Sequence, residues 1–256
     1  MISVPARVVV LDIEGTTGSA SHVHDVLFPF ARRRLADWFA AHRGDPRRDA
    51  VLAAVSALTG RAELDEAAAV SVLEQWSDDD VKAAPLKTVQ GLIWAQGYAD
   101  GSLTGHVYRE VPGQLRRWRS AGTRVFTYSS GSAAAQLDWF RHTAHGDLSV
   151  LLHGRFDLDS AGPKDDPLSY RTISRAVRAA ARHIVFLSDT ARELDAAAAA
   201  GWRTVGVRRS DDERGPLVPG HPTVPALDLL RIEPVADTVT THPGGSAPGR
   251  DEESLA

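Results

Sequence analysis

The stretch RVVVLDIEGTT, residues 7–17, decides the predicted fold. Its first part is a short run rich in β-branched residues, which is typical of a strand buried on both faces of a sheet. The run ends in Asp12, and a loop containing Gly15 follows. Three further apolar runs, each followed by polar or charged residues, occur at 123–128, 183–187 and 203–207. We therefore predict four buried strands.

Helical patterns separate these strands, at residues 111–121, 132–142, 167–182 and 191–200. The first lies beside a proline and stops at Gly122, which is common chemistry for the start and end of a helix. Strands that alternate with helices predict an α/β fold with a doubly wound, mostly parallel sheet. Ligands of such folds bind beyond the carboxyl ends of the strands. We expect Asp12, Ser129 and Asp189 to lie there.

Residues 20–105 interrupt the alternation, because they contain helical patterns at 30–42, 48–58, 63–76 and 87–98 and no convincing strand. A helical insert directly after the first strand would project over its carboxyl end, as a cap does; alternatively, the helices only pack on the core. We favour a cap because Asp12 lies at the root of the insert. The predicted division is a catalytic core of 1–19 and 106–232, a helical cap of 20–105, and a disordered tail of 233–256 with few apolar residues.

Composition narrows the classes of protein. The 256 residues carry a formal net charge of -4, so nothing in the bulk predicts a nucleic-acid or anionic-membrane partner. The chain has no cysteine, which excludes disulfides, thiolate nucleophiles and cysteine metal sites. No run approaches the roughly 20 apolar residues of a membrane span, and the N-terminus lacks a signal-peptide pattern. We therefore expect a cytoplasmic protein with no nucleic-acid and no membrane partner.

The acidic pair Asp12 and Glu14 is the strongest chemical signal. An acidic residue at the end of a buried strand is costly unless it is paired or bound to a cation. One carboxylate of such a pair can attack phosphorus while the other transfers protons. The alternative is that these acids only cap a helix or close a turn, and the pair alone does not decide between the two.

Three later positions could contribute, and each has a structural alternative. Ser129 and Ser130 precede a predicted helix, whose first amides could bind an anion, although serine is also a common helix cap. Lys164 could neutralise a phosphate, although a lone lysine is more often solvated. Asp189 could meet Asp12 across adjacent strands, where two carboxylates and water molecules suit Mg²⁺; alternatively, it caps the next helix.

Taken in order, these residues resemble the motifs of the haloacid dehalogenase-like superfamily: a nucleophilic Asp, a Ser or Thr, a Lys and a metal-binding acid. The resemblance covers roughly residues 7–210. The chain resembles one family more closely, the enolase-phosphatases of the methionine salvage pathway. Glu14 is a feature of that family, since most superfamily phosphatases have Asp at its place. The resemblance rests on DIEGTT (12–17), HDVLFPFA (24–31), LKTVQGLIW (86–94), YSSGS (128–132) and FLSDTARE (186–193).

The resemblance implies a bifunctional reaction on a small phosphate ester, 2,3-diketo-5-methylthiopentyl 1-phosphate. This substrate is enolised and then dephosphorylated to the acireductone 1,2-dihydroxy-3-keto-5-methylthiopentene. The family implies a monomer with one Mg²⁺ ion as cofactor.

The resemblance also implies a role for each motif residue. Asp12 would be the nucleophile and a metal ligand, together with Asp189 and the backbone carbonyl of Glu14. Glu14 would also assist proton transfer. Lys164 would bind the phosphoryl group and steady Asp12. The phosphoryl group would be bound as well by Ser129 and Ser130.

Two departures from the family lie at the root of the predicted cap. Residues 18–20 are GSA where the family usually has Thr-Pro-Ile, and His24 stands where Lys is common. Because caps select substrates, a general magnesium-dependent phosphatase of small metabolites, such as phosphoglycolate, is the main alternative. A haloacid dehalogenase is a less favoured alternative, and it would differ in needing no Mg²⁺. A protein of a different class, an inactive phosphatase fold used for binding, is disfavoured by the intact set of motif residues.

Overall fold

A parallel sheet forms the centre of the computed structural model, which describes residues 1–61, 64–210 and 212–235. The strands of the described chain are β1 Ile2–Pro5, β2 Val8–Leu11, β3 Arg124–Tyr128, β4 Gly154–Phe156, β5 Ile184–Ser188, β6 Arg203–Val207, β7 Thr223–Val224 and β8 Leu230–Glu233. Six of these described strands form the central sheet in the order β4-β3-β2-β5-β6-β7, and all neighbours are parallel. The predicted doubly wound, mostly parallel α/β fold is confirmed.

Helices cover both faces of this sheet and also fill the segment that follows β2. In the described chain they are α1 Ala20–His22, α2 Phe28–Arg32, α3 Leu35–Ala41, α4 Pro46–Thr59, α5 Glu66–Asp78, α6 Ala84–Ala99, α7 Val111–Ser120, α8 Ala133–Arg141, α9 Leu158–Ala161, α10 Pro167–Ala176 and α11 Ala191–Ala199. Among the residues described, none of these helices combines the length and the apolar character that crossing a membrane requires.

The central strand β2 is apolar on both sides because it is buried on both sides. Val9 and Leu11 pack into one buried cluster, to which α7, α8 and the helices of 20–105 contribute. Val8 and Val10 pack into a second cluster, with side chains of α10 and α11. Since successive side chains of a strand point to opposite faces, each strand of this kind needs an unbroken apolar run. The apolar run before Asp12 in the sequence is therefore a consequence of this two-sided burial.

The segment 20–105 is helical, and its described residues contain no strand, as predicted. The single helix predicted at 30–42 is wrong, because α2 and α3 are separate. The chain tightens between them, where the Arg34 N–H donates to the Ala31 carbonyl at 2.9 Å and the Arg34 guanidinium folds over the Phe30 ring. A π-helical turn, Val23–Leu27, joins α1 to α2. The assignment of 20–105 as a cap stays a prediction.

Several elements differ from the sequence predictions at their ends. The helix predicted at 167–182 ends at Ala176, because Arg178 has a left-handed φ of 50°. Residue 63, where we predicted a helix to begin, lies outside the described residues; α5 begins at Glu66 after the capping residue Asp65, which accepts from the Ala68 N–H at 2.7 Å. The predicted tail begins at 233, but Glu233 belongs to β8, which pairs with β1. Residues 234 and 235 of that tail are also described, and 236–256 lie outside the described residues.

Candidate active site

Asp12 lies directly after β2, at the carboxyl edge of the sheet. Its N–H donates to the Leu187 carbonyl of the adjacent strand β5 at 2.9 Å, and the residue is only 5% exposed. Two hydroxyl groups of the turn that follows bond to Asp12. Thr16 Oγ1 donates to Asp12 Oδ2 at 3.3 Å, and Thr17 Oγ1 donates to the Asp12 carbonyl at 3.1 Å. The carboxylate is therefore fixed from its own loop, with one oxygen directed toward Lys164.

Lys164 is a buried partner of Asp12, so the alternative of a solvated surface lysine is wrong. Its side chain is 8% exposed, and Nζ lies 2.5 Å from Asp12 Oδ1 and 2.7 Å from Glu193 Oε2. The Tyr170 hydroxyl donates to the Lys164 carbonyl at 2.7 Å and so holds the backbone. Burial disfavours the charged amine, but the two carboxylates outweigh it and raise the pKa of Lys164. The lysine stays cationic at neutral pH.

The charge around Asp12 is not balanced by Lys164. Burial raises the pKa of Asp12, Lys164 opposes this, and the negative charges of Glu193 and Asp189 add to it. A carboxylate held in such a setting attracts any further positive charge, because that charge stabilises its ionised form. This edge of the sheet therefore suits a cation or a phosphate accompanied by one.

Asp189 follows β5 and faces the turn after Asp12. A methyl group on Gly15 would collide with the Asp189 carboxylate, which shows how closely the two loops approach. Asp189 accepts a hydrogen bond from Thr190 Oγ1 at 3.0 Å and forms an ion pair with Arg214. The structure thus brings Asp189 to the same edge as Asp12, on the adjacent strand, where we expected that the two could meet.

Glu14 projects from the turn, where its backbone bridges to Gly18. Its side chain reaches solvent, yet the surrounding protein removes enough hydration from the carboxylate to raise its pKa. The positive charges of Lys164 and His24 oppose that rise. A carboxyl group of this kind holds a proton at a higher pH than an ordinary glutamate and can donate it.

The serines after β3 lie at the same edge, since Thr127 of β3 is in register with Leu11 of β2. Ser129 is buried, and its Oγ accepts from the Gly131 N–H at 3.1 Å, whereas Ser130 is exposed. Helix α8 is capped by Ser132, which accepts from the Ala135 N–H. The residue that caps helix α8 is therefore Ser132 and neither Ser129 nor Ser130. Ser130 remains exposed to solvent.

The donor set for a metal ion is small. Among the residues that the structure describes, no group of three or more His, Cys, Asp or Glu side chains is placed to hold a metal. The two carboxylates of Asp12 and Asp189 and the carbonyl of Glu14 would offer hard oxygen donors. Mg²⁺ commonly takes only one or two carboxylates and keeps several water molecules, so this set fits that ion better than a metal that needs a full protein cage.

Known proteins match this chain along most of its length. The family model of haloacid dehalogenase-like hydrolases matches residues 6–201. Enolase-phosphatase E1 of Streptomyces avermitilis is 51% identical over 201 residues, which cover 78% of this chain and 84% of that protein. The chain belongs to the enolase-phosphatase E1 family. The protein of the same name from Frankia alni is 46% identical over 228 residues, or 89% of this chain and 96% of that protein.

Solved structures share the fold of this enolase-phosphatase E1 family member. The UTR4 protein of Saccharomyces cerevisiae superposes with a TM-score of 0.74 at 29% identity, covering 88% of this chain and all of that one. CbbY of Rhodobacter sphaeroides, solved with phosphate, has a TM-score of 0.56 at 15% identity and covers 88% of this chain and 96% of that one. The latter likeness concerns the fold alone. The predicted family and the predicted phosphatase class of enzyme are confirmed.

Two site residues of this family member were missed by sequence reasoning. Glu193 pairs with Lys164 and accepts from Ser188 Oγ at 2.8 Å. Its signal was its spacing, since a residue four positions after Asp189 sits in the first turn of α11 and can point back to the strand end. Arg214 pairs with Asp189 from the solvent side, and no sequence signal singled it out from the other arginines nearby.

Proposed function

We propose that this chain catalyses both reactions of an enolase-phosphatase on 2,3-diketo-5-methylthiopentyl 1-phosphate. It would thereby form the acireductone 1,2-dihydroxy-3-keto-5-methylthiopentene and phosphate in methionine salvage. The observation that carries the proposal is the buried Asp12–Lys164 pair at the end of the central strand. This pair occurs in a chain of which 89% aligns with an enolase-phosphatase E1 protein, so the alignment extends beyond the predicted catalytic core. The family prediction from the sequence is confirmed, and the roles of individual residues are part of the proposal.

The phosphatase step begins at Asp12. One oxygen of its carboxylate attacks phosphorus, so that a bond to phosphorus forms and the bond to the ester oxygen of the substrate breaks. Glu14 donates a proton to the departing oxygen, in keeping with its raised pKa. A water molecule then attacks the phosphorus of the aspartyl-phosphate while Glu14 takes its proton. Asp12 and inorganic phosphate are released.

Lys164, Ser129 and Ser130 act on the phosphoryl group. Lys164 lies within 2.5 Å of the attacking carboxylate, so its charge orients Asp12 and offsets the repulsion between two anions. The serines and the backbone N–H groups before α8 provide donors for the phosphoryl oxygens. Most of the catalysis expected here is positioning and electrostatic stabilisation, as in other phosphoryl transfers.

We propose one Mg²⁺ ion as the cofactor, held by Asp12, Asp189 and the Glu14 carbonyl. Once bound, the ion would supply positive charge opposite the phosphoryl oxygens. The support is the hard, oxygen-only donor set and the excess of carboxylates at this edge. Asp189, which is oriented by Thr190, would provide the ligand from the neighbouring strand.

We also propose that the enzyme works as a monomer in the cytoplasm, with a small phosphate ester as its partner and no nucleic acid or membrane. These statements rest on the composition and the family resemblance. Size-exclusion chromatography with light scattering tests the monomer, and fractionation of the source cells tests the compartment.

The substrate is tested by following two signals in one cuvette. With Mg²⁺ and the diketo phosphate, ultraviolet absorbance of an enol intermediate should rise first, and phosphate should follow. Phosphoglycolate serves as the comparison substrate, because residues 18–20 and His24 depart from the family pattern at the predicted cap root. Turnover of phosphoglycolate with none of the diketo compound would keep the aspartate chemistry and discard the substrate. No phosphate from either would favour a binding protein.

A further inference from the structure

Arg209 is a buried cation directly behind the turn that follows Asp12. It lies just beyond β6 and is 6% exposed. A buried charge persists only where partners compensate its loss of hydration. Its Nη1 donates to Glu110 Oε1 at 2.6 Å, its Nη2 donates to the Thr16 carbonyl, and the guanidinium lies 3.8 Å from the centre of the Tyr108 ring.

These contacts tie together three segments that are distant in sequence. The Thr16 carbonyl belongs to the turn after the proposed nucleophile, and Glu110 precedes helix α7. Glu110 also accepts from the Leu227 N–H at 3.3 Å, in the loop after β7. A planar guanidinium with several fixed N–H groups can make such contacts at once, whereas a lysine ammonium presents a single point charge.

The turn is also held through its next residue. The Tyr108 N–H donates to the Thr17 carbonyl at 3.0 Å. Arg209 therefore holds the carbonyl of Thr16, and Tyr108, which lies against Arg209, holds that of Thr17. The Thr16 hydroxyl bonds to the Asp12 carboxylate, and the Thr17 hydroxyl bonds to the Asp12 carbonyl. A shift of this turn would move the hydroxyls that hold the nucleophile and the backbone of Glu14.

We propose that Arg209 is a positioning residue for the phosphatase reaction, which sets the turn 14–17 and, through it, the Asp12 carboxylate and the Glu14 carbonyl. Arg209 touches neither the substrate nor the reacting atoms in this account. The inference rests on the proposed function, because the positions that it fixes matter only if Asp12 reacts and Glu14 contributes to a Mg²⁺ site.

The test compares Arg209→Lys with a matched control, Arg48→Lys. Arg48 is also a buried arginine, and it too bonds a carbonyl, that of Phe39 at 3.0 Å, and a carboxylate, that of Glu66, but it lies in α4 of the helical segment. Both variants lose a guanidinium fork in the interior. Only Arg209→Lys should alter the site. Its kcat should fall by about 10-fold or more with KM changed less than about twofold, since misplacement by a fraction of an ångström lowers the rate of the step.

A readout without substrate separates this inference from the proposed function. Mg²⁺ alone should raise the Tm of the wild-type enzyme, and the Mg²⁺ concentration for half of that rise should increase about 10-fold in Arg209→Lys and stay unchanged in Arg48→Lys. Glu110→Gln, which keeps the shape and an acceptor oxygen, serves if Arg209→Lys does not fold, and should shift both readouts in the same direction by a smaller factor.

Three results would overturn the inference. The first is an Arg209→Lys enzyme, or in its place Glu110→Gln, that matches Arg48→Lys in kcat and in the Mg²⁺ titration, because Arg209 would then only stabilise the fold. The second is a wild-type protein whose Tm does not respond to Mg²⁺, which removes the cation site on which the inference depends. If the Mg²⁺ titration shifts in Arg209→Lys but not in Arg48→Lys, and the diketo phosphate is not turned over, the proposed substrate fails while the positioning role is supported. The third is an increase in KM with an unchanged kcat, because this would make Arg209 a determinant of substrate binding.

Discussion

Replacing Gly15 by alanine should damage the site far more than the fold. Gly15 has a φ of +74° in the turn after Asp12, and a residue with a Cβ adopts such a left-handed conformation at a cost of roughly 1–2 kcal/mol. The added Cβ would also lie 2.7 Å from Cγ of Asp189, about 0.7 Å closer than an ordinary contact of 3.4 Å. Because the Asp189 Oδ2 atom would lie closer still, the turn or the Asp189 carboxylate must move by at least that distance.

This displacement sets the expected size of the effect. Because a misplacement of about 1 Å can cost about 100-fold in rate, we expect kcat of Gly15→Ala to fall roughly 10- to 100-fold. The half-saturating concentration of Mg²⁺ should rise on the order of 10-fold by the same reasoning, since the displaced carboxylate is a proposed ligand. Phosphate release measured against Mg²⁺ concentration gives both values.

Gly122→Ala provides the matched control. Gly122 has a φ of +77°, follows helix α7 and has no atom within 4 Å of an added Cβ. Both variants should lose roughly 1–2 kcal/mol in urea denaturation from backbone strain, and only Gly15→Ala should lose activity. A folded Gly15→Ala enzyme with the kcat and the Mg²⁺ dependence of Gly122→Ala would refute the placement of Asp189 at the metal site.

Two further variants test the charges of the site and the titration of a half-buried histidine. Lys164→Met should lower kcat about 100-fold or more and the free energy of unfolding by about 3 kcal/mol, because Asp12 and Glu193 lose their shared cation. Phosphate release measures the first effect and urea denaturation the second. An unchanged rate would remove the lysine from the mechanism. Burial and the nearby His106 lower the pKa of His22 from its ordinary value of 6.5. Just below that pH the folded state therefore binds fewer protons than the unfolded state, and stability falls as the pH drops through this window. His22→Phe should flatten this decline in the urea midpoint, and an equal slope in both proteins would contradict the assignment.

The central strands were predictable from sequence because their burial leaves a local signature. Strand β2 and most of β5 are continuous apolar runs, and β3 and β6 are buried along most of their length, since both faces of the sheet are covered by helices. The strands that were missed lie at sheet edges or outside the central sheet. Strand β4 has three half-buried residues beginning with Gly154, and β1 ends in a proline. Their pairing is decided by neighbours distant in the sequence, and a short window does not contain that information.

The site was predictable to the extent that its residues end strands. Asp12 and Asp189 follow adjacent strands, so topology alone brings them together. Lys164 follows no strand directly, and its place beside Asp12 came only from the resemblance. Glu193 and Arg214 in the site, and Arg209 beside it, were missed for a different reason. Charged residues in a helix or in a basic stretch usually face solvent, and the sequence does not show which of them folds inward to a buried partner.

The most direct test of the central claim is to trap phosphate on Asp12. Enzyme that is turning over substrate with a radiolabelled phosphoryl group is quenched in acid, digested and mapped, with Asp12→Asn as the control. We predict label on the wild-type peptide that contains Asp12, and neither label nor phosphate release from a folded Asp12→Asn enzyme. Phosphate release by Asp12→Asn at the wild-type rate, or label on a different peptide, would contradict the assignment of Asp12 as the nucleophile.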